Sequence, residues 1–375
     1  MPCVQMIGAP CVRAGPLRGR MSRLQMGEAS GLRFLVFGGA GFLGPHLIRT
    51  LLEDYPDCQI VALDRAPRPH PPCCFPGDRR VAFLYGVDVL RPETYREELC
   101  RGADCLFNLI GLISFWAKDK DRLYQVNVTG TERLFAAARQ ARIRRAVHVS
   151  SVAAIGYCRQ GVADETLPVD WPRFRRKHYM FTKHLGELAA LRCSAEGLPV
   201  VVVNPCVMYG PGEIQDLLRL FRNLAAGRVP AFPPGGTAVV DVRDVARGVV
   251  AAYRQGTAGQ RYILAGPNTP FADLFPLISR ELGVPPPRRC LPRFLAAARP
   301  LVRGLELLSG EKPVLTADEY SFGFIHRYHS ARKAMRELGW EPRFGLRQSI
   351  QDAAAWYREQ GLLPLTGRAA RGQGT

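Results

Sequence analysis

Long hydrophobic runs, patterned cysteines and lysine are all scarce in this sequence. No apolar run approaches the roughly 20 residues that a membrane-spanning helix needs, which excludes a spanning segment. The eleven cysteines are scattered and include no C-x-x-C pair, a usage typical of reduced thiols in a cytosolic protein. We therefore predict a cytoplasmic protein, and we assign no residues to a metal.

The basic residues are almost all arginine. Only six of the 51 are lysine, and the arginines are spread along the chain, which carries a formal net charge of +18. Because no basic stripe is interleaved with aromatic residues and no nucleic-acid motif is present, we predict no nucleic-acid partner. Attraction of this charge to anionic membranes or acidic substrates stays open.

The two ends of the chain lack a repeating apolar pattern. Residues 1–30 contain glycine, proline and arginine without periodicity, and Met21 or Met26 could be the true start. Their apolar runs are too short for a signal peptide. We expect residues 1–30 to be a disordered or mis-started extension and residues 366–375 to be a disordered tail.

From residue 32 onward, short apolar runs alternate with amphipathic ones. The apolar runs predict strands at 34–37, 59–63, 81–85, 104–110, 145–149 and 198–203, and helices are predicted at 121–141 and from His178 onward. This alternation predicts an α/β fold, a Rossmann-type doubly wound parallel sheet covered by helices on both faces.

The alternation weakens after about residue 205, where proline and glycine become more frequent. We predict a dinucleotide-binding domain at 31–205 and a smaller, mainly substrate-binding C-terminal lobe at 206–365. The segment at about 238–264 is expected to return to the main sheet.

A glycine motif joins the first predicted strand to the first helix. Gly38, Gly41 and Gly44 follow the strand at intervals of three, and an amphipathic run begins at His46. Gly38 suits a tight turn, Gly41 a close approach to a pyrophosphate, and Gly44 close packing of helix on strand. Because a helix N-terminus offers free N–H groups and a positive dipole end, this arrangement predicts a dinucleotide site.

An acidic residue follows the second predicted strand at the distance that this interpretation requires. Asp64 lies twenty residues after Gly44, where a carboxylate would accept both ribose hydroxyls of an adenosine. Asp64 would repel a 2′-phosphate, which favours NAD over NADP. Arg65 could hold such a phosphate, so NADP stays possible.

A tyrosine and a lysine four residues apart provide candidate catalytic groups. Tyr179 and Lys183 would lie one turn apart on one helix face. The pKa of a free tyrosine is about 10, and a neighbouring ammonium with a bound cationic nicotinamide would lower it. Ser151, after the fifth strand, could donate a hydrogen bond to a substrate oxygen beside Tyr179.

The order of these motifs identifies a family. The segments that carry the resemblance are 38–44, 127–131, 149–151, 179–183, 209–212, 240–246, 262–264 and 337–342. Over about residues 32–360 the chain resembles an extended short-chain dehydrogenase/reductase of the NAD-dependent epimerase/dehydratase superfamily. Residues 115–118, 178–179 and 203–205 are most similar to the dihydroflavonol-reductase-like branch, which includes hopanoid-associated sugar epimerases and borders the 3β-hydroxysteroid dehydrogenases.

The resemblance implies roles for individual residues. Tyr179 would be the acid/base, Lys183 would tune it and bind the ribose, and Ser151 would polarise the carbonyl. Asp88 resembles the family's adenine-contacting acid. Further cofactor contacts are implied for Phe42, Leu43, Val89 and Pro205. Relatives often dimerise through helices that correspond to 121–141 and 178–195, so a homodimer is expected.

Departures from the family pattern reduce the range of reactions and substrates that the sequence favours. Val152 and Ala153 stand where 4,6-dehydratases carry an Asp-Glu pair, which disfavours dehydration. The two arginines with which nucleotide-sugar epimerases hold a diphosphate are missing from 235–239 and 322–329, although Arg327 could substitute for one of them. Without those charges, a substrate lacking a diphosphate is favoured.

Two basic segments allow alternative interpretations. Residues 294–308 are apolar with interspersed arginines, which favours a core-packing helix pair broken at Pro300. The alternatives are a lid over a lipid-like substrate or a membrane-surface helix. Residues 173–177 are expected to form a solvated basic loop, although they could attract an anionic substrate.

The sequence therefore favours reversible hydride transfer between NAD, with NADP possible, and a secondary alcohol or ketone on a mainly apolar small molecule. One alternative is a nucleotide-sugar epimerase that keeps its NAD bound. The other is a non-catalytic NAD(P)-binding regulatory subunit. Contact with a membrane surface stays open in each case.

Overall fold

The computed structural model describes residues 31–66, 75, 77–158 and 160–363. The predicted extension at 1–30 and tail at 366–375 lie outside these residues. The strands are β1 Arg33–Phe37, β2 Gln59–Asp64, β3 Val81–Tyr85, β4 Cys105–Asn108, β5 Ala146–Val149, β6 Val200–Pro205, β7 Val207–Tyr209, β8 Ala231–Phe232, β9 Gly236–Asp241, β10 Arg261–Leu264, β11 Asn268–Pro270, β12 Arg289–Cys290 and β13 His326–Arg327.

The helices alternate with the strands through the first half of the chain. They are α1 Gly44–Asp54, α2 Arg96–Cys100, α3 Lys120–Tyr124, α4 Gly130–Gln140, α5 Trp171–Phe174, α6 His178–Ala195, α7 Asp216–Ala225, α8 Val242–Gln255, α9 Phe271–Leu282, α10 Arg299–Leu308, α11 Ala317–Gly323, α12 Arg332–Leu338 and α13 Leu346–Glu359. No helix among the described residues is both long and apolar enough to cross a membrane.

The main sheet has seven strands in the order β3-β2-β1-β4-β5-β6-β10. Every neighbouring pair is parallel, which confirms the predicted Rossmann-type fold. From β1 the strands are added outward to one edge as β2 and β3, and then to the other side of β1 as β4, β5, β6 and β10, so the strand order switches between β1 and β4. Because ligands of such sheets bind at the carboxyl ends of the strands beside this switch point, the topology places a site there.

Strand β1 shows why both faces of this sheet are covered. Its alternating side chains point to opposite faces. Phe34 and Val36 pack in a core with α1 and α8, whereas Leu35 and Phe37 pack in a second core with α2, α4 and α6. Burial on both faces explains why the strand is continuously apolar.

The predicted helix at 121–141 is an interrupted helical run. Helix α3 and helix α4 are joined by a π-helical turn at Gln125–Thr129. Such turns insert one residue into a helix and often lie at functional sites. Sequence periodicity missed the interruption because apolar residues continue on the buried side.

A second sheet and three helices follow β6 in the chain and share a core of their own. Strand β9 pairs with β7, β11 and β13, and α7, α9 and α13 surround these strands with a separate apolar core. Within the described chain, strand β9 does not pair with the main sheet, although Ala238 and Val240 pack in the same core as β1 and α1, and β10 pairs with β6. The domain boundary near residue 205 and the return of 238–264 to the first domain stay predictions.

Candidate active site

The glycine turn has the geometry of a dinucleotide cradle. Gly38 has a φ of +80°, a conformation that side chains other than glycine rarely adopt. A Cβ on Gly44 would lie 2.1 Å from the carbonyl oxygen of Gly39, so only glycine lets α1 begin this close to the turn. Among the described residues, the N–H groups of Phe42 and Leu43 have no acceptor. These donors at the start of α1 fit a pyrophosphate.

Asp64 lies beside this turn at the end of β2. Its carboxylate accepts the N–H of Ala40 at 3.0 Å and the N–H of Arg65 at 2.7 Å. These bonds fix the carboxylate next to the glycine turn, with lone pairs left to accept ribose hydroxyls. The side chain of Arg65 is exposed.

The other predicted cofactor contacts lie along the same edge of the sheet. Asp88 accepts the N–H of Leu90 at 2.9 Å, so its carboxylate also stabilises the loop after β3. Val89 is buried, and a Cβ on Gly130 would lie 2.7 Å from its Cγ2. Pro205 ends β6. Their contacts with a cofactor stay predictions.

The fold brings Ser151, Tyr179 and Lys183 together at the carboxyl end of β5. The Ser151 side chain accepts the N–H of Ala153 at 3.1 Å, and Ser151 acts to lower the pKa of the Tyr179 hydroxyl. The Lys183 ammonium lies 3.4 Å from the carbonyl oxygen of Val149. Tyr179 and Lys183 are only 9% and 6% exposed, so both groups act in a site from which water is largely excluded.

Burial dominates the titration of both helix residues. It raises the pKa of Tyr179 to about 12, against the lowering effects of Ser151 and the more distant Arg327. Burial also lowers the pKa of Lys183 to about 8, and the Glu187 carboxylate opposes that shift. Desolvation of the phenolate therefore outweighs nearby charge in the protein without cofactor, and the lowering of the Tyr179 pKa by Lys183 together with a bound cationic nicotinamide stays a prediction.

Asn127 holds the loop that faces Lys183. Its Oδ1 accepts the N–H of Leu112 at 2.8 Å, and its Nδ2 donates to the Leu112 carbonyl at 3.0 Å and to Thr182 at 3.2 Å. A Cβ on Gly111 would lie 3.2 Å from the Lys183 nitrogen, so the clamped loop closes over the ammonium. The π-helical turn positions Asn127 for this role.

A buried polar network behind Lys183 was not predicted from the sequence. Glu187 is 1% exposed. Its carboxylate accepts from Asn204 at 2.6 Å and from Arg261 at 3.1 Å. Asn204 also donates to the Ser151 carbonyl at 3.0 Å. The sequence could have indicated Glu187, because it lies four residues after Lys183, as Lys183 lies four residues after Tyr179, and so falls on the same helix face.

Aromatic rings form the wall opposite the catalytic helix. The Phe115 ring lies 5.2 Å from the Tyr179 ring and 5.5 Å from the Phe322 ring, centroid to centroid. The Arg327 guanidinium lies over the Phe322 ring, 4.5 Å from the ring centroid. The Arg327 guanidinium donates no hydrogen bond and forms no ion pair within the described part of the chain, and its Nε is buried. The site therefore combines apolar surface with one unpaired cation.

The predicted solvated loop at 173–177 is partly wrong. Lys177 is 7% exposed, donates to Ser321 at 2.8 Å and lies 3.7 Å from a carboxylate oxygen of Asp318. Its ammonium also lies 4.2 Å from the Phe322 ring centroid. Contacts with α11, which local sequence could not reveal, draw this lysine inward. Arg175 and Arg176 are exposed, as predicted.

Comparison with known proteins places this site in a family. A model of the NAD dependent epimerase/dehydratase family matches residues 34–265. A candidate dihydroflavonol 4-reductase from Synechocystis sp. is 33% identical over 88% of this chain and 96% of its own length. Sterol demethylase protein B from Methylococcus capsulatus is 31% identical over 88% and 99%.

Solved structures agree with this assignment. The crystal structure of gox2253 superimposes with a TM-score of 0.74 at 30% identity, over 88% of this chain and 99% of that one. The matched region includes the glycine turn, Tyr179 and Lys183. The chain therefore belongs to the NAD dependent epimerase/dehydratase family, within the extended short-chain dehydrogenase/reductases, and is an NAD(P)-dependent oxidoreductase.

Proposed function

We propose that the chain transfers a hydride reversibly between NAD(P) and a secondary alcohol or ketone on a mainly apolar substrate. The observation that carries this proposal is that Ser151, Tyr179 and Lys183 meet at the carboxyl end of β5, where Lys183 lies 3.4 Å from the Val149 carbonyl oxygen and Ser151 acts on the Tyr179 hydroxyl. A substrate oxygen would be held at this strand end, and Lys183 is buried there.

Each residue has a defined part in the proton transfer. Tyr179 takes the hydroxyl proton during oxidation and returns it during reduction. Ser151 donates to the substrate oxygen, and Lys183 supplies positive charge and a donor for the ribose. The nicotinamide, when bound, accepts or gives the hydride, and its oxidised ring adds positive charge that favours the phenolate.

The surroundings of Tyr179 support an apolar substrate. Tyr157, Phe174, Met180 and Phe322 form one apolar cluster, against which Phe115 packs. One relative, sterol demethylase protein B, is named for action on a sterol. Dehydration is disfavoured because Val152 and Ala153 supply no acid in the turn that follows Ser151.

NAD is favoured over NADP in this proposal. The Asp64 carboxylate stands beside the glycine turn, where it would accept ribose hydroxyls and repel a 2′-phosphate. Arg65 is a neighbouring cation that could compensate. Affinities of the two cofactors, measured by calorimetry, should differ in favour of NAD, and Asp64→Ala should reduce the difference.

A sugar epimerase with permanently bound NAD is the second candidate, and Arg327 is the observation that favours it. Its guanidinium has no carboxylate partner within the described chain and influences Tyr179 electrostatically. A single cation could hold one anionic or carbonyl group of a substrate. A non-catalytic regulatory subunit is the third candidate, and the complete Ser-Tyr-Lys set argues against it.

Deuterium transfer separates the first two candidates. The protein would be incubated with stereospecifically deuterated NADH and a panel of apolar ketones. The proposal predicts deuterium on the carbinol carbon of a released alcohol. Release of tightly held NAD on denaturation, together with binding of UDP- or GDP-sugars and no transfer to ketones, would instead establish the epimerase.

We also propose a cytoplasmic homodimer that pairs through the π-interrupted helical run and α6. Tyr124 and Leu188, on these two elements, are 46% and 38% exposed, which supports an interface there. The seven described cysteines are free thiols. Solution scattering that gives the mass of a monomer would contradict the dimer.

A further inference from the structure

Helix α10 turns its apolar side chains outward. Leu301, Leu305 and Leu308 follow one another at helical spacing and are 68%, 61% and 85% exposed, whereas Glu306 is 2% exposed. A surface helix normally buries its apolar stripe and exposes its charges. The prediction of a core-packing helix pair is therefore wrong for these leucines.

Specific polar contacts fix this inverted orientation. Glu306 accepts the N–H of Ala117 at 2.8 Å, the N–H of Ala317 at 2.9 Å and the Arg303 guanidinium at 3.0 Å. Arg299 and Arg303 both donate to Asp318, at 2.9 and 3.1 Å. Rotation of α10 to bury its leucines would break every one of these bonds.

The apolar face extends beyond α10. Phe294, in the turn before the helix, is 75% exposed, and Val314 and Leu315, after it, are 80% and 50% exposed. Scattered exposed apolar residues are ordinary, but the concentration of exposed apolar residues within 294–315 marks this segment as an interaction surface. We call Phe294, Leu301, Leu305, Leu308 and Val314 the apolar face.

Positive charge flanks the apolar face. Arg288, Arg289, Arg293 and Lys312 are exposed, and none of them forms an ion pair with any residue that the structure describes. Apolar side chains bordered by free arginines are typical of a segment that lies in the headgroup region of an anionic bilayer. A second copy in a two-fold dimer would bring like charges together, so charge complementarity selects the bilayer.

The segment that carries the apolar face is joined to the catalytic site through its buried side. Helix α10 contacts the chain at Ala117, two residues after the Phe115 ring that packs against Tyr179. The carbonyl of Leu295 accepts the Tyr320 hydroxyl at 2.6 Å, and this bond ties the same segment to α11, which carries Phe322. Helix α10 therefore lies between a bilayer on its apolar face and the aromatic wall of the site.

We propose that the apolar face binds the surface of an anionic lipid bilayer and that substrate reaches Tyr179 from that bilayer. The second half of this statement rests on the proposed function, because it requires an apolar substrate. The first half does not, and it is tested without substrate or cofactor.

Co-sedimentation of the full chain with vesicles tests the binding. Vesicles of phosphatidylcholine alone would be compared with vesicles containing phosphatidylglycerol. The proposal predicts pelleting with the anionic vesicles, weakened at least tenfold by Leu301→Ser, Leu305→Ser and Leu308→Ser together. Replacing Arg288, Arg289 and Arg293 by glutamine should remove the preference for anionic lipid. Unchanged binding by the leucine variant would overturn the proposal.

Two control variants show whether the binding belongs to the apolar face. Val162→Ser with Met335→Ser removes exposed apolar groups elsewhere, at 50% and 41% exposure, and should leave binding intact. Tyr179→Phe should bind vesicles as the wild type does, so a failure of the chemistry would not mimic a failure of membrane binding. Loss of self-association in the leucine variant, with no vesicle binding by the wild type, would assign the face to a second copy and overturn the proposal.

Discussion

The Lys183 ammonium lies 3.4 Å from the carbonyl oxygen of Val149, which ties the catalytic helix α6 to the carboxyl end of β5. Through this contact, the helix and the strand that precedes Ser151 keep a fixed separation. In the proposed mechanism, the distance between Tyr179 and a substrate oxygen held by Ser151 would therefore depend on Lys183 as well as on the two hydroxyl groups.

Lys183 should give the protein a characteristic stability profile at alkaline pH. Its folded pKa of about 8 lies below the value of about 10.4 expected in the unfolded chain. Between these values the unfolded state binds more protons, so the free energy of unfolding contributed by this group rises with pH. Between pH 8 and 10, the free energy of unfolding should therefore increase by about 2 kcal/mol less in Lys183→Met than in the wild type. Urea denaturation at each pH measures this difference.

The control for that experiment is Lys118→Met, since Lys118 is exposed. This variant should keep the wild-type slope. Parallel profiles for Lys183→Met and the wild type would show that the Lys183 ammonium is not desolvated.

Asn127 should be needed for the stability of the site. Asn127→Ala would leave the partly buried N–H and carbonyl of Leu112 without their side-chain partner. Unsatisfied buried groups cost about 1–3 kcal/mol each, so the free energy of unfolding should fall by about 2–4 kcal/mol. Gln125→Ala, an exposed change in the same π-helical turn, should have little effect. Equal losses from the two variants would contradict the clamp.

Gly44→Ala should impair cofactor binding. The added Cβ would lie 2.1 Å from the Gly39 carbonyl oxygen, so α1 or the glycine turn must move. NAD affinity, measured by calorimetry, should fall at least tenfold. Gly345→Ala adds a Cβ that meets nothing within 4 Å, and it should bind NAD normally. Wild-type affinity in the Gly44 variant would show that the turn adapts.

Replacement of Arg327 should change both the KM for substrate and the pKa of Tyr179. The charge of Arg327 lowers the pKa of Tyr179, so Arg327→Met should raise that pKa further. The pH at which the rate of alcohol oxidation increases should then shift to a higher value. KM should also rise if the guanidinium contacts substrate, and Arg327→Lys should recover part of the pH effect. The exposed Arg176→Met is the matched control. An unchanged pH profile and KM would remove Arg327 from the site.

Local patterns predicted the parts of the fold that local chemistry determines. The apolar run of β1, the spacing of Gly38, Gly41 and Gly44, and the placement of Tyr179 and Lys183 on one face of α6 each follow from a short stretch of sequence. The family match and the strand order of the main sheet confirm the fold that these stretches predicted.

Features that depend on distant contacts could not be predicted. Lys177 is buried because α11 supplies Asp318 and Ser321. The leucines of α10 face outward because Glu306 binds backbone groups far away in the sequence. The pKa of Tyr179 is raised because the folded chain removes water from around its hydroxyl. Spacing within one helix contains none of this information.

The most direct test of the proposed mechanism is the Tyr179→Phe variant. The ring and its packing against Phe115 would be retained, while the hydroxyl that exchanges the proton would be removed. Turnover should fall at least a thousandfold, a loss in the range ascribed to acid–base groups, with NAD affinity unchanged by calorimetry. Turnover close to that of the wild type, with the same substrate and cofactor, would contradict the assignment of Tyr179 as the acid/base.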